Sequence, residues 1–207
     1  MKHKLFSLRY WFYDFTKITA TIPGLIWLRP KIVYENEEAR TLIRGGALLC
    51  ANHQSFLDPV YLQFAVGYRR QRFVCLKEFF RTPTLKWIFS HFLCIPIDKQ
   101  NPGLKTIREI SGHLKDGWVV SIFPEGKVTD GQIADFHSGI VLMAAMSGAP
   151  IIPVYMKARK SQFRRLRVAI GAPLRCTSGT GGMPGMQQID QITSDLKHRE
   201  EILKQLC

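Results

Sequence analysis

The chain has 207 residues, of which 46% are hydrophobic and 22% are charged. This length and composition predict one globular domain with a sizeable core and exclude a disordered chain. The formal net charge of +13 favours an anionic partner, either a lipid surface, a nucleic acid or an acidic protein.

Basic and aromatic residues are interleaved through residues 1–31, where Asp14 is the single acid. The longest uncharged run, 18–28, is shorter than the about 20 residues of a spanning helix, and Pro23-Gly24 interrupts it. No small-residue cleavage site follows, so a signal peptide is not indicated. We predict two short helices in the headgroup layer of a membrane, with Pro23-Gly24 between or within them. The alternative is a helix packed on the domain's own core.

Strand-like and helix-like patterns alternate from residue 31 onward. Strands are predicted at 31–35, 48–52, 73–76, 94–97, 118–123, 151–156 and 166–170. Helices are predicted at 60–66, 83–92, 104–115, 140–146 and 189–206, a basic loop at 69–72 and a glycine-rich loop at 177–185. The nearly continuous apolar run 118–123 is typical of a central strand covered on both faces. The alternation predicts an α/β fold whose sheet carries helices on both faces.

The strand at 48–52 is followed by His53, and Asp58 comes five positions later. On a regular helix these two side chains would diverge by roughly 140°, so they meet only across a loop or a first helical turn. Ser55 as the N-cap, or Asp58 as the cap before Pro59, would give such a turn. A carboxylate on one imidazole nitrogen fixes the tautomer and leaves the other nitrogen as a base. The alternative is a histidine that only caps a loop.

Polar residues also follow two other strands. Phe123-Pro124-Glu125-Gly126 closes the most apolar strand, with Lys127 next to it, and Asp98-Lys99 follows residues 94–97. Proline ends a central strand because it lacks an N–H, and glycine permits close backbone approach. Since α/β proteins place ligands at strand ends, these three tips are candidates for one site.

Charge and cysteine use bear on the partner and the compartment. Residues 136–189 contain no Asp or Glu, whereas basic residues cluster between 157 and 175. A segment with charges of only one sign favours contact with a negatively charged surface. Cys50, Cys75 and Cys94 lie in apolar runs without metal-type spacing, so we interpret the cysteines as reduced core thiols of a cytosolic protein.

Taken together, these blocks resemble the glycerolipid acyltransferase family, which includes 1-acyl-glycerol-3-phosphate acyltransferases. The family's His-four residues-Asp block is similar to residues 53–58, and its Phe-Pro-Glu-Gly block is present at 123–126. Its other blocks are similar to 77–83 with 95–99, to 136–139 and to 150–154. The order and spacing match across residues 45–172.

Two of the blocks depart from the family pattern and leave the acceptor open; the second block also has Lys86 and Leu93 where glycines are usual. The Phe-Pro-Glu-Gly block usually continues Thr-Arg, but here it continues Lys127-Val128. The block at 95–99 ends in Lys99 where arginine is usual, which replaces a planar fork by a point charge.

The resemblance implies a glycerol-3-phosphate acyltransferase-like α/β domain at 32–207, with a central mixed, largely parallel sheet, behind a membrane-binding segment at 1–31. It implies an O-acyltransferase without cofactor or metal. The co-substrate would be a thioester of acyl-CoA or acyl carrier protein, and the acceptor the sn-2 hydroxyl of 1-acyl-glycerol-3-phosphate.

The same resemblance implies roles for individual residues. His53 would be the base and Asp58 its orienting partner. The substrate-binding residues would be Phe123, Pro124, Glu125, Gly126, Lys127 and Lys99. Within this set Glu125 and Gly126 would hold the glycerol part, and the two lysines would bind the phosphate.

Other functions remain as alternatives. The chain lacks a Gly-X-Ser-X-Gly elbow, so no covalent acyl-enzyme is indicated. It also lacks a phosphate loop and the aromatic-basic patterns of nucleic-acid binders, so we expect neither nucleotide hydrolysis nor a nucleic-acid partner. The acceptor could instead be glycerol-3-phosphate, another lysophospholipid or a lyso-aminolipid, or the protein could remodel membranes without catalysis. We expect a peripheral or monotopic protein on the cytoplasmic face of a membrane, such as a bacterial inner membrane.

Overall fold

The computed structural model describes residues 7–98, 103–129, 133, 136–159, 161, 163–176 and 183–207. The strands are β1 (Lys31–Tyr34), β2 (Ala47–Ala51), β3 (Gln71–Leu76), β4 (Ile95–Ile97), β5 (Val119–Ile122), β6 (Ile151–Lys157) and β7 (Arg167–Ile170). The helices are α1 (Trp11–Leu28), α2 (Asp58–Ala65), α3 (Pro83–His91), α4 (Leu104–Lys115), α5 (Gly139–Ser147) and α6 (Met186–Leu206). Short 3-10 turns occur at Leu8–Tyr10, Glu38–Arg40 and Lys77–Phe80.

The strands form one mixed sheet in the order β1-β7-β6-β2-β5-β3-β4. Neighbouring strands run parallel, except for the antiparallel pair β6 and β7. In the centre, Leu49 of β2 lies opposite Ser121 of β5 on one side and Ile152 of β6 on the other. The predicted mixed, largely parallel sheet is therefore confirmed. Because β2 and β5 are adjacent and parallel, their carboxyl ends lie at the same edge of the sheet.

Both faces of the sheet are covered by helices, as the sequence predicted. Successive side chains of a strand point to opposite faces, and every residue of β2 is buried. Leu49 and Ala51 join a cluster with residues of α1 and α2, whereas Leu48 and Cys50 join a cluster with residues of α4, α5 and α6. Burying one such leucine contributes about 1.5–3 kcal/mol to the folded state, so β2 is held by apolar packing on both sides.

The prediction of two N-terminal helices is wrong, because α1 is a single helix that contains Pro23. Proline removes the hydrogen bond to the carbonyl four residues earlier. Here that carbonyl belongs to Thr19, which is exposed, so water can satisfy it and the helix continues. None of the helices in the described ranges combines the length and the apolar character that a membrane crossing requires.

Helix α1 is fastened to the domain by a buried ion pair. Arg70 binds both carboxylate oxygens of Asp14 through Nε and Nη2, at 2.7 and 2.8 Å. Both side chains are almost fully buried, and the backbone N–H of Ser7 also donates to Asp14. Removing one partner of such a pair would leave a buried charge uncompensated, at a cost of about 3–5 kcal/mol. The helix therefore packs on the core, whatever its outer face contacts.

The predicted basic loop at 69–72 is correct only for its first two residues, which lie between α2 and β3. Gln71 and Arg72 already belong to β3, and Arg69 and Arg70 are buried. Arg69 donates to the carbonyls of Ile43 and Gly117, while Arg70 binds the acid on α1. These arginines hold chain segments together, so they do not form a solvated surface. The predicted glycine-rich loop falls largely on 177–182, which lie outside the described residues.

Gly46, just before β2, offers a test of the packing. A Cβ atom added there would lie 1.9 Å from the backbone carbonyl oxygen of Leu114, whereas one added at Gly45 would meet nothing within 4 Å. We expect Gly46→Ala to lower the free energy of unfolding by about 1–3 kcal/mol, because a backbone atom must move. Gly45→Ala is the matched control, expected to change it by less than about 1 kcal/mol. Denaturant unfolding measures both, and equal losses would contradict the packing.

Candidate active site

The turn between β2 and α2 brings His53 and Asp58 together. Nδ1 of His53 lies 2.9 Å from Oδ2 of Asp58. The same oxygen accepts the backbone N–H groups of Gln54 at 2.6 Å and Ser55 at 2.7 Å. One carboxylate oxygen thus fixes both the imidazole and the backbone that carries it.

Neither of the two predicted N-caps of α2, Ser55 or Asp58, is the residue found there. The N-cap is Leu57, without a side-chain capping bond, and Asp58 is already the first helical residue. The physical reason is that the Asp58 carboxylate turns back toward His53 and the two N–H groups before it. Pro59 follows in the first turn, where its missing N–H costs nothing.

Asn52 anchors the strand end from which the histidine projects. Its side-chain amide donates to the carbonyl of Met156 at 3.0 Å, and its Oδ1 accepts the Met156 N–H at 2.6 Å. These bonds extend the pairing of β2 with β6 by one residue through a side chain. Asn52 is 1% exposed, so the anchor lies in the core.

The segment that follows β5 holds His53 from the other side. The ring of Phe123 stacks on the imidazole, with centroids 4.2 Å apart and planes at 19°. The backbone N–H of Thr129 donates to the His53 carbonyl at 2.8 Å, and the Thr129 hydroxyl donates to it at 3.2 Å. Among the described residues, none hydrogen bonds to Nε2 of His53. That nitrogen is therefore available as a base.

His53 lines a cavity of about 1420 Å³. Its walls are largely apolar and include Phe79, Phe89 and Phe92. The cavity is larger than pockets for drug-sized ligands, whose volumes are about 300–1,000 Å³. The cavity reaches α1, whose inner face contributes Thr16, Lys17 and Thr21 among others. The histidine thus opens onto a chamber that suits a large amphiphile.

Most of the predicted substrate-binding residues lie at this cavity. Phe123, Pro124, Gly126 and Lys127 line it. Gly126 has φ +60°, a left-handed conformation that glycine adopts at no steric cost. Lys99 lies outside the described residues, so its place at the site stays a prediction.

Glu125 does not line the cavity. It is 5% exposed, and neither carboxylate oxygen has a hydrogen-bond partner. The Thr129 hydroxyl and the His53 backbone N–H face the carboxylate without meeting hydrogen-bond geometry. Burial raises the pKa of Glu125, and these two donors partly offset that rise. The carboxylate therefore lies behind the wall that its neighbours form.

The sequence reasoning missed two residues of the site, Thr129 and Lys17. No pattern around Thr129 indicates its bonds to the His53 carbonyl. Lys17 lines the cavity, and burial is the main reason that its pKa is lowered. Lys17 lies one helical turn after the buried Tyr13. This spacing places Lys17 on the inner face of α1, but only once α1 is known to pack on the core.

No group of three His, Cys, Asp or Glu side chains in the described ranges is arranged to hold a metal ion. The described site offers an imidazole base and a carboxylate partner beside an apolar chamber.

This fold and this site define the class of the protein. Residues 31–157, more than half of the chain, match the family model described as Acyltransferase. The chain therefore belongs to the acyltransferase family, and the resemblance found in the sequence is confirmed. It is an O-acyltransferase by family.

Two individual relatives and one solved structure are also similar to this chain. A 1-acyl-sn-glycerol-3-phosphate acyltransferase of Bacillus subtilis is 27% identical over 183 residues, which cover 84% of this chain and 89% of that protein. The enzyme of the same name from Streptococcus pneumoniae is 27% identical over 142 residues, which cover 68% of this chain and 53% of that protein. The crystal structure of a 1-acyl-sn-glycerophosphate acyltransferase from Thermotoga maritima superimposes with a TM-score of 0.62 at 19% identity, covering 92% of this chain and 79% of that one. This likeness shows a shared fold.

Asp58→Asn tests the orienting carboxylate. The amide keeps the shape but removes the charge that stabilises an imidazolium and fixes the tautomer. We expect kcat for acyl transfer to fall at least about 100-fold with KM little changed. Asp195→Asn, on the exposed side of α6, is the control and should keep full kcat. Steady-state kinetics with circular dichroism to verify folding would measure this, and an unchanged kcat in Asp58→Asn would rule out the orienting role.

Proposed function

We propose that the protein transfers a fatty acyl chain from a thioester to the sn-2 hydroxyl of 1-acyl-glycerol-3-phosphate, giving phosphatidic acid. The observation that carries the proposal is the hydrogen-bonded pair of His53 and Asp58 at the wall of a large apolar cavity. The names of the relatives support the choice of acceptor. The departures at Lys127-Val128 and Lys99 keep another lysophospholipid, glycerol-3-phosphate or a lyso-aminolipid as alternative acceptors.

In the proposed reaction Nε2 of His53 takes the proton of the acceptor hydroxyl as its oxygen attacks the thioester carbonyl. Asp58 stabilises the imidazolium that forms. The tetrahedral intermediate then collapses, the C–S bond breaks, and the leaving thiolate takes the proton from Nε2. A positioned base of this kind contributes typically ~10²–10⁴-fold in rate. No acyl-enzyme is needed, because the hydroxyl attacks the donor directly.

The loop that follows β5 is our candidate for holding the headgroup. Lys127 is exposed and lines the cavity, so its ammonium can meet a phosphate through charge-assisted hydrogen bonds. Gly126 brings backbone to the same wall. We assign Glu125 the support of this loop, in place of the contact with the glycerol part that the resemblance implies. Lys99 remains a candidate second phosphate ligand.

The apolar chamber fits the chains of both substrates. Aromatic and aliphatic side chains form its walls beyond His53, and burying methylene groups there contributes about 0.8 kcal/mol each. A filled chamber also excludes water, which would otherwise hydrolyse the thioester. The donor is acyl-CoA or an acyl carrier protein thioester, and no further cofactor takes part in this scheme.

We also propose that the outer face of α1 docks on an anionic membrane. Trp11, Phe15, Ile18, Ile22 and Ile26 are exposed at spacings of three and four residues, so they form one apolar stripe. Such a stripe lies in the interface plane of a bilayer. In this arrangement the protein is peripheral to the membrane, on its cytoplasmic face.

The connection between β6 and β7 extends that surface with positive charge. The guanidinium of Arg159 lies 4.8 Å from the ring centre of Trp27 at the end of α1, and Arg29 donates to the carbonyl of Phe163. Phe163 is 86% exposed and is followed by two arginines. Basic residues next to an apolar face favour anionic lipids by about 1 kcal/mol each.

The reaction is tested by mass spectrometry of products from a panel of lyso-acceptors, each with acyl-CoA and with acyl carrier protein thioesters. We expect 1-acyl-glycerol-3-phosphate to give phosphatidic acid, and His53→Ala to lower the rate at least about 100-fold while the fold is kept. His198→Ala, an exposed histidine of α6, is the control. Acylation of a different acceptor only, or full activity in His53→Ala, would overturn the proposal.

Membrane docking is tested by vesicle flotation. The double variant Ile22→Ser/Ile26→Ser should bind vesicles of phosphatidylglycerol and phosphatidylethanolamine at least about tenfold more weakly, since it removes apolar area from the interface. Its activity on micellar substrate should be kept. Leu104→Ser, an equally exposed position on α4 across the sheet, should bind like wild type. Equal binding by all three proteins would exclude α1 as the docking element.

A further inference from the structure

A second cavity lies at the edge of the sheet opposite to His53, and the reaction scheme does not use it. Its volume is about 530 Å³, within the range of about 300–1,000 Å³ for pockets that hold small ligands. The segments that precede β5, β2 and β6, three neighbouring parallel strands, line it. Strand β2 runs from this cavity to His53, and at about 3.3 Å per residue it places the two sites roughly 20 Å apart.

Basic side chains stand at the starts of all three strands. Arg44 precedes β2, Lys115 ends α4 ahead of β5, and Arg175 lies beside the start of β6. The last position is fixed by Leu174, whose backbone N–H and carbonyl pair with those of Ile151 at 2.7 and 2.8 Å. Because neighbouring strands lie about 4.8 Å apart, the sheet gathers the three cations around one opening.

The three cations are not neutralised by the protein. In the part of the chain that the structure describes, the side chains of Arg44, Lys115 and Arg175 form no hydrogen bond or ion pair. Arg40 also lines the cavity but is paired with a glutamate of its own turn. Glu38 is the one acid among the residues that line the cavity. An excess of positive charge around a concave site attracts anions.

The loop before β2 adds backbone donors. Arg44, Gly45 and Gly46 line the cavity, and within the described chain none of their N–H groups donates to a protein acceptor. Packing does not explain Gly45, because an added Cβ would meet nothing within 4 Å, and its φ is not positive. A glycine of this kind allows a ligand to approach the backbone, and successive N–H groups of a turn are a common anion-binding element.

The same loop is held in place by the protein itself. Arg69 donates to the carbonyls of Ile43 and Gly117, which joins the loop before β2 to the turn before β5. The Ile43 N–H donates to the Tyr68 hydroxyl at 3.0 Å. The site is therefore largely preformed, which lowers the cost of ordering it around a ligand.

The floor of the cavity is apolar. Leu49 of β2, Ile152 of β6 and Val66 after α2 line it, and all three are buried. A bare inorganic ion would leave this floor uncovered. The cavity therefore suits a ligand with an anionic group at the rim and an organic part beneath it.

We propose that this cavity binds an organic phosphomonoester, with Arg44, Lys115 and Arg175 around the phosphate and the organic part on the apolar floor. A phosphomonoester carries about 1.5–2 negative charges near neutrality and three strong acceptor oxygens. Guanidinium forks bind such oxygens in pairs, and the loop N–H groups supply further donors. This site is separate from the proposed acyl transfer and does not depend on it.

The phosphomonoester has two sources to distinguish. Tyr34, Leu42 and Tyr68 line both this cavity and the chamber at His53, so a lipid chain in the chamber would lie close to a headgroup in the cavity. A soluble metabolite would occupy the cavity alone. The chemistry at the rim is the same for both, so the experiment uses one probe for each.

Isothermal titration calorimetry on the full chain measures the binding of ribose 5-phosphate, as the soluble probe, and of dodecyl phosphate, as the lipid probe. The double variant Arg44→Gln/Arg175→Gln removes two exposed charges of the rim. Lys105→Gln/Arg108→Gln makes the same change of charge on the exposed side of α4, outside the cavity. Lys127→Gln removes the cation at the reaction site and so reports a probe that binds there.

We expect at least one probe to bind wild type, the α4 control and Lys127→Gln with Kd values within about threefold of each other. The rim variant should bind that probe at least about tenfold more weakly, because it loses charge-assisted hydrogen bonds. Tighter binding of dodecyl phosphate assigns the cavity to a lipid headgroup, and tighter binding of ribose 5-phosphate assigns it to a soluble metabolite. Ribose without phosphate should not bind.

Thermal unfolding followed by circular dichroism gives a second readout. The probe that binds should raise the melting temperature of wild type and of the α4 control but not that of the rim variant, because a ligand stabilises only the protein that binds it. Absence of binding by both probes, equal binding by the rim variant and wild type, or a loss confined to Lys127→Gln would each overturn the proposal. Neither readout involves turnover, so failure of the proposed acyl transfer would leave this test intact.

Discussion

A single carboxylate oxygen, Oδ2 of Asp58, is the point on which the site depends. It accepts from the ring nitrogen of His53 and from two consecutive backbone N–H groups. Charge-assisted bonds of this kind are about twice as strong as neutral ones. The orientation of the base, the shape of the turn and the start of α2 therefore share one cause, and none of them can change alone.

The sheet brings together residues that lie far apart along the chain. His53 and Phe123 are separated by 70 positions, yet their rings stack because β2 and β5 are parallel neighbours that end at the same edge. Asn52 and Thr129 then secure the histidine from β6 and from the far end of the loop. The helices on both faces supply the apolar packing that holds these strands in place.

Sequence patterns predicted what depends on local periodicity and order along the chain. The apolar runs gave β2 and β5, and the polar residues after them gave the site, because a parallel sheet collects strand ends. The sequence could not show that α1 packs on the core, because this position depends on the ion pair between Asp14 and Arg70, which are 56 residues apart. The same limit applies to Glu125, whose identity suggests a headgroup ligand but whose side chain turns inward.

Helix α1 has one side on the chamber and the other on its apolar stripe, and the ion pair with Arg70 keeps it from swinging outward without stranding two buried charges. We therefore propose that lipids reach the chamber past the flanks of α1. In the proposed docking, an acceptor enters the chamber from the bilayer along the edge of α1 without exposing its chain to water, and the product leaves by the same lateral route. In this arrangement the bilayer supplies the hydrophobic substrates and receives the product.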